Sequence, residues 1–203
     1  MRVIAGQAKG RHLHAPKGMS TRPTADRVKE AIFSVIAAYL DQSIVLDAFA
    51  GTGALGLEAL SRGAKEAILI ERNKKTFEVL KANIDLTGLE GAYVYCADCL
   101  TLLNHLPNTK HLQPFDLIFL DPPYGKGWIK KAVALILQKN ILEREGILII
   151  ETSQKDKGQD IKDLFGLGLL VVKQSDYGDT AVLYCKQPDF ADGPTNSLLK
   201  DMR

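Results

Sequence analysis

From residue 44 onward the chain alternates short apolar runs with longer amphipathic stretches. The runs are Ile44-Val45-Leu46, Ala67-Ile68-Leu69-Ile70, Tyr93-Val94-Tyr95, Leu117-Ile118-Phe119-Leu120, Ile147-Leu148-Ile149-Ile150, Leu169 to Val172 and Ala181 to Tyr184. Continuous apolar runs this short predict strands buried on both faces of a sheet. The stretches near 54–62, 73–87, 128–138 and 156–165 have the length and periodicity of helices. Alternation of the two predicts a doubly wound, mostly parallel α/β sheet of about seven strands. Only Ser175 to Thr180 separate the last two runs, too little chain for a crossover helix, so these predict an antiparallel hairpin at one edge.

Upstream, Val28, Ala31, Ile32, Val35, Ile36, Tyr39 and Leu40 recur at helical spacing, with Thr24 placed as N-cap and Asp26 in the first turn. The residues before them mix Gly, Lys, Arg and His around Val3-Ile4 and Leu13, a pattern predicting a small hairpin or ordered arm. The expected organisation is a basic arm and helix over 1–40, the main α/β domain over 41–186, and a polar, mobile tail over 187–203.

A chain of 203 residues, 46% hydrophobic and 25% charged, closes one substantial core. Its net charge of +2 conceals an asymmetry: residues 1–25 hold five basic groups (Arg2, Lys9, Arg11, Lys17, Arg22) and no acid, leaving −3 on the remaining 178. A cationic arm on an acidic body suits contact with phosphates. Three cysteines make no disulfide framework, the start lacks a signal-peptide apolar run, and no stretch approaches the ~18 apolar residues of a membrane span. A cytoplasmic monomer without membrane contact is expected.

The segment Asp47-Ala48-Phe49-Ala50-Gly51-Thr52-Gly53-Ala54-Leu55-Gly56 follows a predicted strand and opens a helix. It satisfies G-x-G-x-x-G, and Glu71 lies where a dinucleotide site places its ribose-binding acid, so a nicotinamide dehydrogenase competes. Asp47 separates the readings, since a carboxylate one turn from the glycines repels a pyrophosphate but favours the α-ammonium and sulfonium of S-adenosylmethionine. Phe49, Gly51, Thr52 and Gly53 then form the cofactor loop, and Glu71 accepts from the ribose hydroxyls. Arg72, Asn73, Cys99 and Asp121 line the cofactor pocket, and Asp98 accepts from the adenine amine. A mostly parallel sheet closed by a hairpin is the class I, Rossmann-like methyltransferase arrangement.

Asp121-Pro122-Pro123-Tyr124 follows the fourth strand and is the most specific local signal. The prolines stiffen the turn and remove two amide donors, leaving carbonyls beside the Asp121 carboxylate and the Tyr124 ring. A planar amine with two N–H groups matches the Asp121 side chain and the Pro122 carbonyl, with Tyr124 stacked on its ring. Asp121 then stabilises the charge gained by the attacking nitrogen. A target base must be single-stranded or flipped to reach such a pocket.

These motifs resemble the RsmD family, enzymes that methylate a guanine N2 amine in bacterial small-subunit ribosomal RNA. The matching pieces are Arg2-Val3-Ile4-Ala5-Gly6, Gly10-Arg11, Arg22-Pro23-Thr24, Asp26-Arg27-Val28, the Asp47–Gly56 loop with Glu58-Ala59-Leu60-Ser61-Arg62-Gly63, and Asp121-Pro122-Pro123-Tyr124. The resemblance implies S-adenosylmethionine at the glycine loop, catalysis at Asp121 to Tyr124, and guanine 966 of 16S rRNA, in the small subunit or its assembly intermediate, as target. The basic residues Arg2, Lys9, Arg11, Arg22 and Arg27 are the expected RNA contacts.

Other features carry less. Cys96 and Cys99 form C-x-x-C without a second pair, so a structural or pocket-lining role is expected and no metal. His12 and His14 belong to the arm, and His105 and His111 are expected in a loop. Trp128 either stacks on substrate or anchors a helix, and Tyr177-Gly178-Asp179 reads as a hairpin tip. The competing functions are an amine or amide methyltransferase acting on DNA adenine or protein glutamine, and a non-catalytic RNA-binding module that keeps the fold.

Overall fold

The computed structural model describes residues 1–16, 23–105, 114–123 and 127–188. Helix α1 (Pro23–Val35) and a 3-10 turn (Ala37–Tyr39) lead into β1 (Ile44–Asp47), α2 (Ala54–Ser61), β2 (Glu66–Ile70), α3 (Lys74–Thr87) and β3 (Ala92–Tyr95). Then follow α4 (Cys99–His105), β4 (Phe115–Leu120), α5 (Trp128–Gln138), β5 (Leu142–Ser153), α6 (Lys157–Gly166), β6 (Leu170–Tyr177) and β7 (Thr180–Lys186). Helix α1 already begins at Pro23, so Thr24, expected as its N-cap, lies inside its first turn instead. Lys17, Arg22, Tyr124, His111 and the tail beyond Pro188 lie outside the described residues.

The strands form one sheet in the order β3-β2-β1-β4-β5-β7-β6. The first five are parallel, and β7 inserts antiparallel between β5 and β6. Side chains alternate between two cores, as period-two geometry requires. Val45, Leu117, Phe119 and Ile149 face the layer built by α1, α2 and α3, while Leu46, Ile118, Leu120 and Ile150 face that built by α4, α5 and α6. The β6–β7 hairpin turns through Gly178 (φ +60) and Asp179, the tip expected from the sequence.

Two further expectations differ from the structure. The segment carrying His105, expected as a loop, begins with helix α4, whose last residue is His105. It is too short to show a helical period, yet the parallel β3-to-β4 crossover needs cover, and Leu103 is fully buried there. Helix α1 ends at Val35 instead of reaching Leu40, and the chain tightens into the 3-10 turn.

The basic arm is an ordered hairpin. Val3 N donates to Arg11 O, Gly10 N to Val3 O and Leu13 N to Met1 O, while Arg2 bridges His12. Val3, Ala8 and Leu13 are buried against the body. Glu58 of α2, itself fully buried, accepts from the amides of Ile4 (2.8 Å) and Ala5 (3.0 Å), and pairs with Lys29 of α1 (3.0 Å) and Arg62 (2.7 Å). Ser61 Oγ accepts from Ala8 N and donates to Ala5 O. Gly6 adopts φ +82, and a Cβ there would lie 1.6 Å from Ser61 O, so only glycine permits this approach. Buried Asn83 of α3 accepts from His14 N and donates to the carbonyls of His14 and Thr52, tying the arm to the glycine loop.

Candidate active site

Strand order reverses between β1 and β4, and at such a switch point the loops diverge beyond the carboxyl ends of the strands and leave a crevice. A cavity of about 820 Å³ opens there. Asp47, Glu71, Asp98 and Asp121, the acids expected at the ends of the first four strands, all line it, as do Phe49, Gly51 and Thr52 of the glycine loop. Arg72, Asn73, Cys99 and Pro123 also line it, while Gly53 and Pro122 do not, and Pro122 lines a separate, smaller cavity. Gly53 adopts φ +88 as the residue before α2, and a Cβ would meet Leu80 Cδ1 at 2.5 Å. Gly56 lets α2 press on β2, since a Cβ there would meet Leu69 at 2.7 Å.

Asp47 is 1% exposed. Its Oδ2 accepts from Gly56 N at 2.9 Å, and its Oδ1 has no partner among the described residues. Burial raises its pKa from 3.8 to about 7, outweighing the amides that favour the anion, and Glu71 adds repulsion. Because the folded value lies above the unfolded one, the stability linked to Asp47 is fully present below pH 3.8 and is lost as pH rises through about 7. Asp47→Asn is therefore expected to stabilise the ligand-free protein at about pH 8 by up to about 4 kcal/mol and to flatten its stability between pH 5 and pH 8. Thermal unfolding at both pH values checks this; equal pH slopes for variant and wild type would refute it.

Asp121 lines the cavity and its side chain is exposed there. The protein mass packed around it, then the carboxylates of Glu151 and Asp47, raise its pKa above the usual carboxylate range, a shift that the exposure tempers. Glu151 lies on β5, lines the cavity and escaped the sequence reading. The available signal was an acid ending an apolar run, the feature that singled out Asp47 and Glu71.

Several side chains have structural work as well. Asp98 Oδ1 accepts from Thr101 N at 3.1 Å at the start of α4, and Asn73 Oδ1 caps α3 by accepting from Lys75 N and Thr76 N. Glu71 accepts from Asn73 N, which orients it. Cys99 is buried and its thiol is pushed up to about 12, first by burial and then by Asp98, so it stays protonated, while Cys96 is exposed. Trp128 begins α5 with its ring edge-on to Phe49 (6.2 Å) and beneath the Arg72 guanidinium (5.6 Å). It also lines the cavity.

Opposite the strand ends, the wall comes from Val28, Lys29 and Ile32 of α1 and from Tyr177 to Thr180 of the β6–β7 hairpin. Neither was assigned to the site from sequence, because both arrive there only through tertiary packing. Of the expected RNA contacts, Arg2, Lys9, Arg11 and Arg27 are exposed. Arg2 lies 3.7 Å from Asp26. Among the described residues no helix is long and apolar enough to cross a membrane.

A seven-stranded sheet of this order, with an antiparallel seventh strand and an acid-lined cleft over β1 and β4, is the class I methyltransferase fold. The family described as Conserved hypothetical protein 95 matches residues 1–186, and the chain belongs to it, the RsmD family its motifs resemble. The chain is 39% identical to YlbH of Bacillus subtilis over 188 residues, covering 92% of this chain and 99% of that protein. It is also 39% identical to the Ribosomal RNA small subunit methyltransferase D of Haemophilus influenzae over 159 residues, covering 77% and 80%. The solved structure of yhhF from Escherichia coli superposes with a TM-score of 0.75 at 28% identity, covering 93% of this chain and 98% of that one.

Proposed function

We propose that this protein transfers a methyl group from S-adenosylmethionine to the exocyclic N2 amine of a guanine in 16S rRNA of the small ribosomal subunit, guanine 966 by the resemblance of its motifs. The observation that carries the reading is the buried Asp47 carboxylate, with Oδ1 unpartnered among the described residues, in one cavity with Asp121. An anion held there favours a cationic ligand and opposes a dinucleotide pyrophosphate. When bound, S-adenosylmethionine supplies a methyl group activated on a sulfonium, and its α-ammonium suits Asp47. Glu71, oriented by Asn73, would accept from ribose hydroxyls, and Asp98 keeps one oxygen outside its bonds to Thr101 for an adenine amine.

On the opposite side Asp121 and the Pro122 carbonyl accept the two N–H groups of the target amine, which fixes the nitrogen lone pair toward the methyl donor. The Asp121 carboxylate stabilises positive charge building on that nitrogen and takes the proton the amine sheds. By resemblance, Tyr124 would stack on the base. The ribosomal substrate is supported by the name of the relative from Haemophilus influenzae, and with that substrate the protein is expected to act in the cytoplasm, as a monomer.

The test is transfer of labelled methyl from S-adenosylmethionine to purified small subunits, naked ribosomal RNA, DNA and protein in parallel, with analysis of the product nucleosides. Label recovered as N2-methylguanosine in the ribosomal samples is expected; label confined to DNA or protein, or absent despite tight cofactor binding, would overturn the substrate. For the arm over 1–40 we expect the triple change of Arg2, Lys9 and Arg11 to alanine to weaken subunit binding. The slope of log affinity against log salt should shrink by roughly two to three. An unchanged slope would return these side chains to bulk solvent.

A further inference from the structure

Sheet order divides the lining of the cavity in two. On the proposed function, Glu71 and Asp98, beyond β2 and β3, border the half that takes the cofactor, and Asp47 lies between the halves at the end of β1. The other half is bordered by Asp121, Glu151, the Tyr177–Thr180 tip and the inner side of α1. Glu151 lies two residues beyond Ile149 on β5, so strand alternation sets its side chain on the α1 face of the sheet, beside the end of β4. It is half-buried, paired in register with Val182 of β7, and its charge acts on Asp121. The structure has thus brought two carboxylates together at the place where the target amine must enter, although methyl transfer itself calls for only one.

We infer that Glu151 is the residue that selects guanine, by accepting a hydrogen bond from ring N1–H while Asp121 and the Pro122 carbonyl hold the adjacent N2 amine. The inference rests on the proposed guanine N2 reaction. Guanine presents two neighbouring donor groups on this edge, the exocyclic amine and N1–H. Adenine also presents an exocyclic amine beside a ring nitrogen, but that nitrogen is an acceptor. A turn of Asp-Pro-Pro-Tyr type holds either amine equally well, so discrimination must come from a group that meets the ring nitrogen. A carboxylate satisfies guanine N1–H and opposes the adenine N1 lone pair, leaving both acceptors without a proton between them. Glutamine at the same place still accepts weakly through its carbonyl and can donate to adenine N1, so Glu151→Gln reverses part of the preference.

The experiment uses the full chain, wild type and Glu151→Gln, with small subunits carrying either the natural guanine or adenine at the methylated position. Labelled S-adenosylmethionine is the donor, and cofactor affinity is measured separately by calorimetry. Wild type should methylate guanine subunits in preference to adenine subunits by 100-fold or more, on the order expected when a buried polar group is left unpaired. Glu151→Gln should keep S-adenosylmethionine affinity within about twofold, lose roughly 10- to 100-fold in kcat/KM on guanine, and narrow the guanine-to-adenine ratio by about the same factor. A merely structural role for Glu151 would lower both activities and leave the ratio unchanged, which overturns the inference. So would full activity of the variant on guanine, loss of cofactor affinity, or a wild type indifferent to the base. If wild-type product from guanine subunits is not N2-methylguanosine, the functional reading itself fails, and product analysis separates that outcome from the others.

Discussion

Asp121→Ala is expected to lower kcat for methyl transfer by two to three orders of magnitude, while S-adenosylmethionine affinity stays near that of wild type. The magnitude is that of removing one preorganised group facing charge that develops in the transition state, roughly 100- to 1000-fold. The Pro122 carbonyl and the Asp47 carboxylate remain in the variant, so one contact to the amine and the cationic-ligand site survive. Single-turnover rates at saturating cofactor, beside calorimetric titration with S-adenosylmethionine, separate the two quantities. A variant that binds cofactor poorly yet turns over normally at saturation would move Asp121 out of the methyl-transfer step and into the cofactor site.

The second large effect concerns stability. Glu58→Ala leaves the Lys29 ammonium, 3% exposed, without its carboxylate and strips the acceptor from the amides of Ile4 and Ala5. Breaking one side of a buried pair costs about 3–5 kcal/mol. In a chain of this size that lowers Tm by roughly 10 °C. Gly6→Ala strikes the same junction from the arm's side, because its methyl group would overlap Ser61 O. Both variants should also become susceptible to trypsin at Lys9 and Arg11, since freeing the hairpin exposes bonds that the docked arm withholds. Because Lys29, Val28 and Ile32 form one wall of the cavity, methyl transfer should fall with arm docking. Unchanged Tm together with unchanged proteolysis in Glu58→Ala would show that the arm is held by its apolar side chains alone.

Much of the architecture was legible from local pattern. Each parallel strand is an apolar run because helices cover both of its faces, and the brevity of the Ser175–Thr180 link already excluded a crossover at the end. Asp47, Glu71 and Asp121 could be placed because acids that follow apolar strands must emerge at one edge of a parallel sheet. Helix α4 was not legible, since seven residues give too few turns for a period and its signal reduces to the Asp98 cap. Glu151 follows its apolar run as directly as Asp47, but no motif surrounds it and β5 continues to Ser153, so that one signal did not by itself single it out.

The sequence by itself determined the class of sheet, the glycine loop with its acids, the Asp-Pro-Pro-Tyr turn and the charge of the arm. These depend on side-chain period, backbone freedom and charge along a few adjacent residues. Only the tertiary structure decided that the arm folds back onto α2 through Glu58, Ser61 and Gly6. It alone placed α1 and the Tyr177–Thr180 tip as walls of the cavity and brought Glu151 beside Asp121. Those relations join residues distant along the chain, and they follow from burying two faces of one sheet, which no local pattern records.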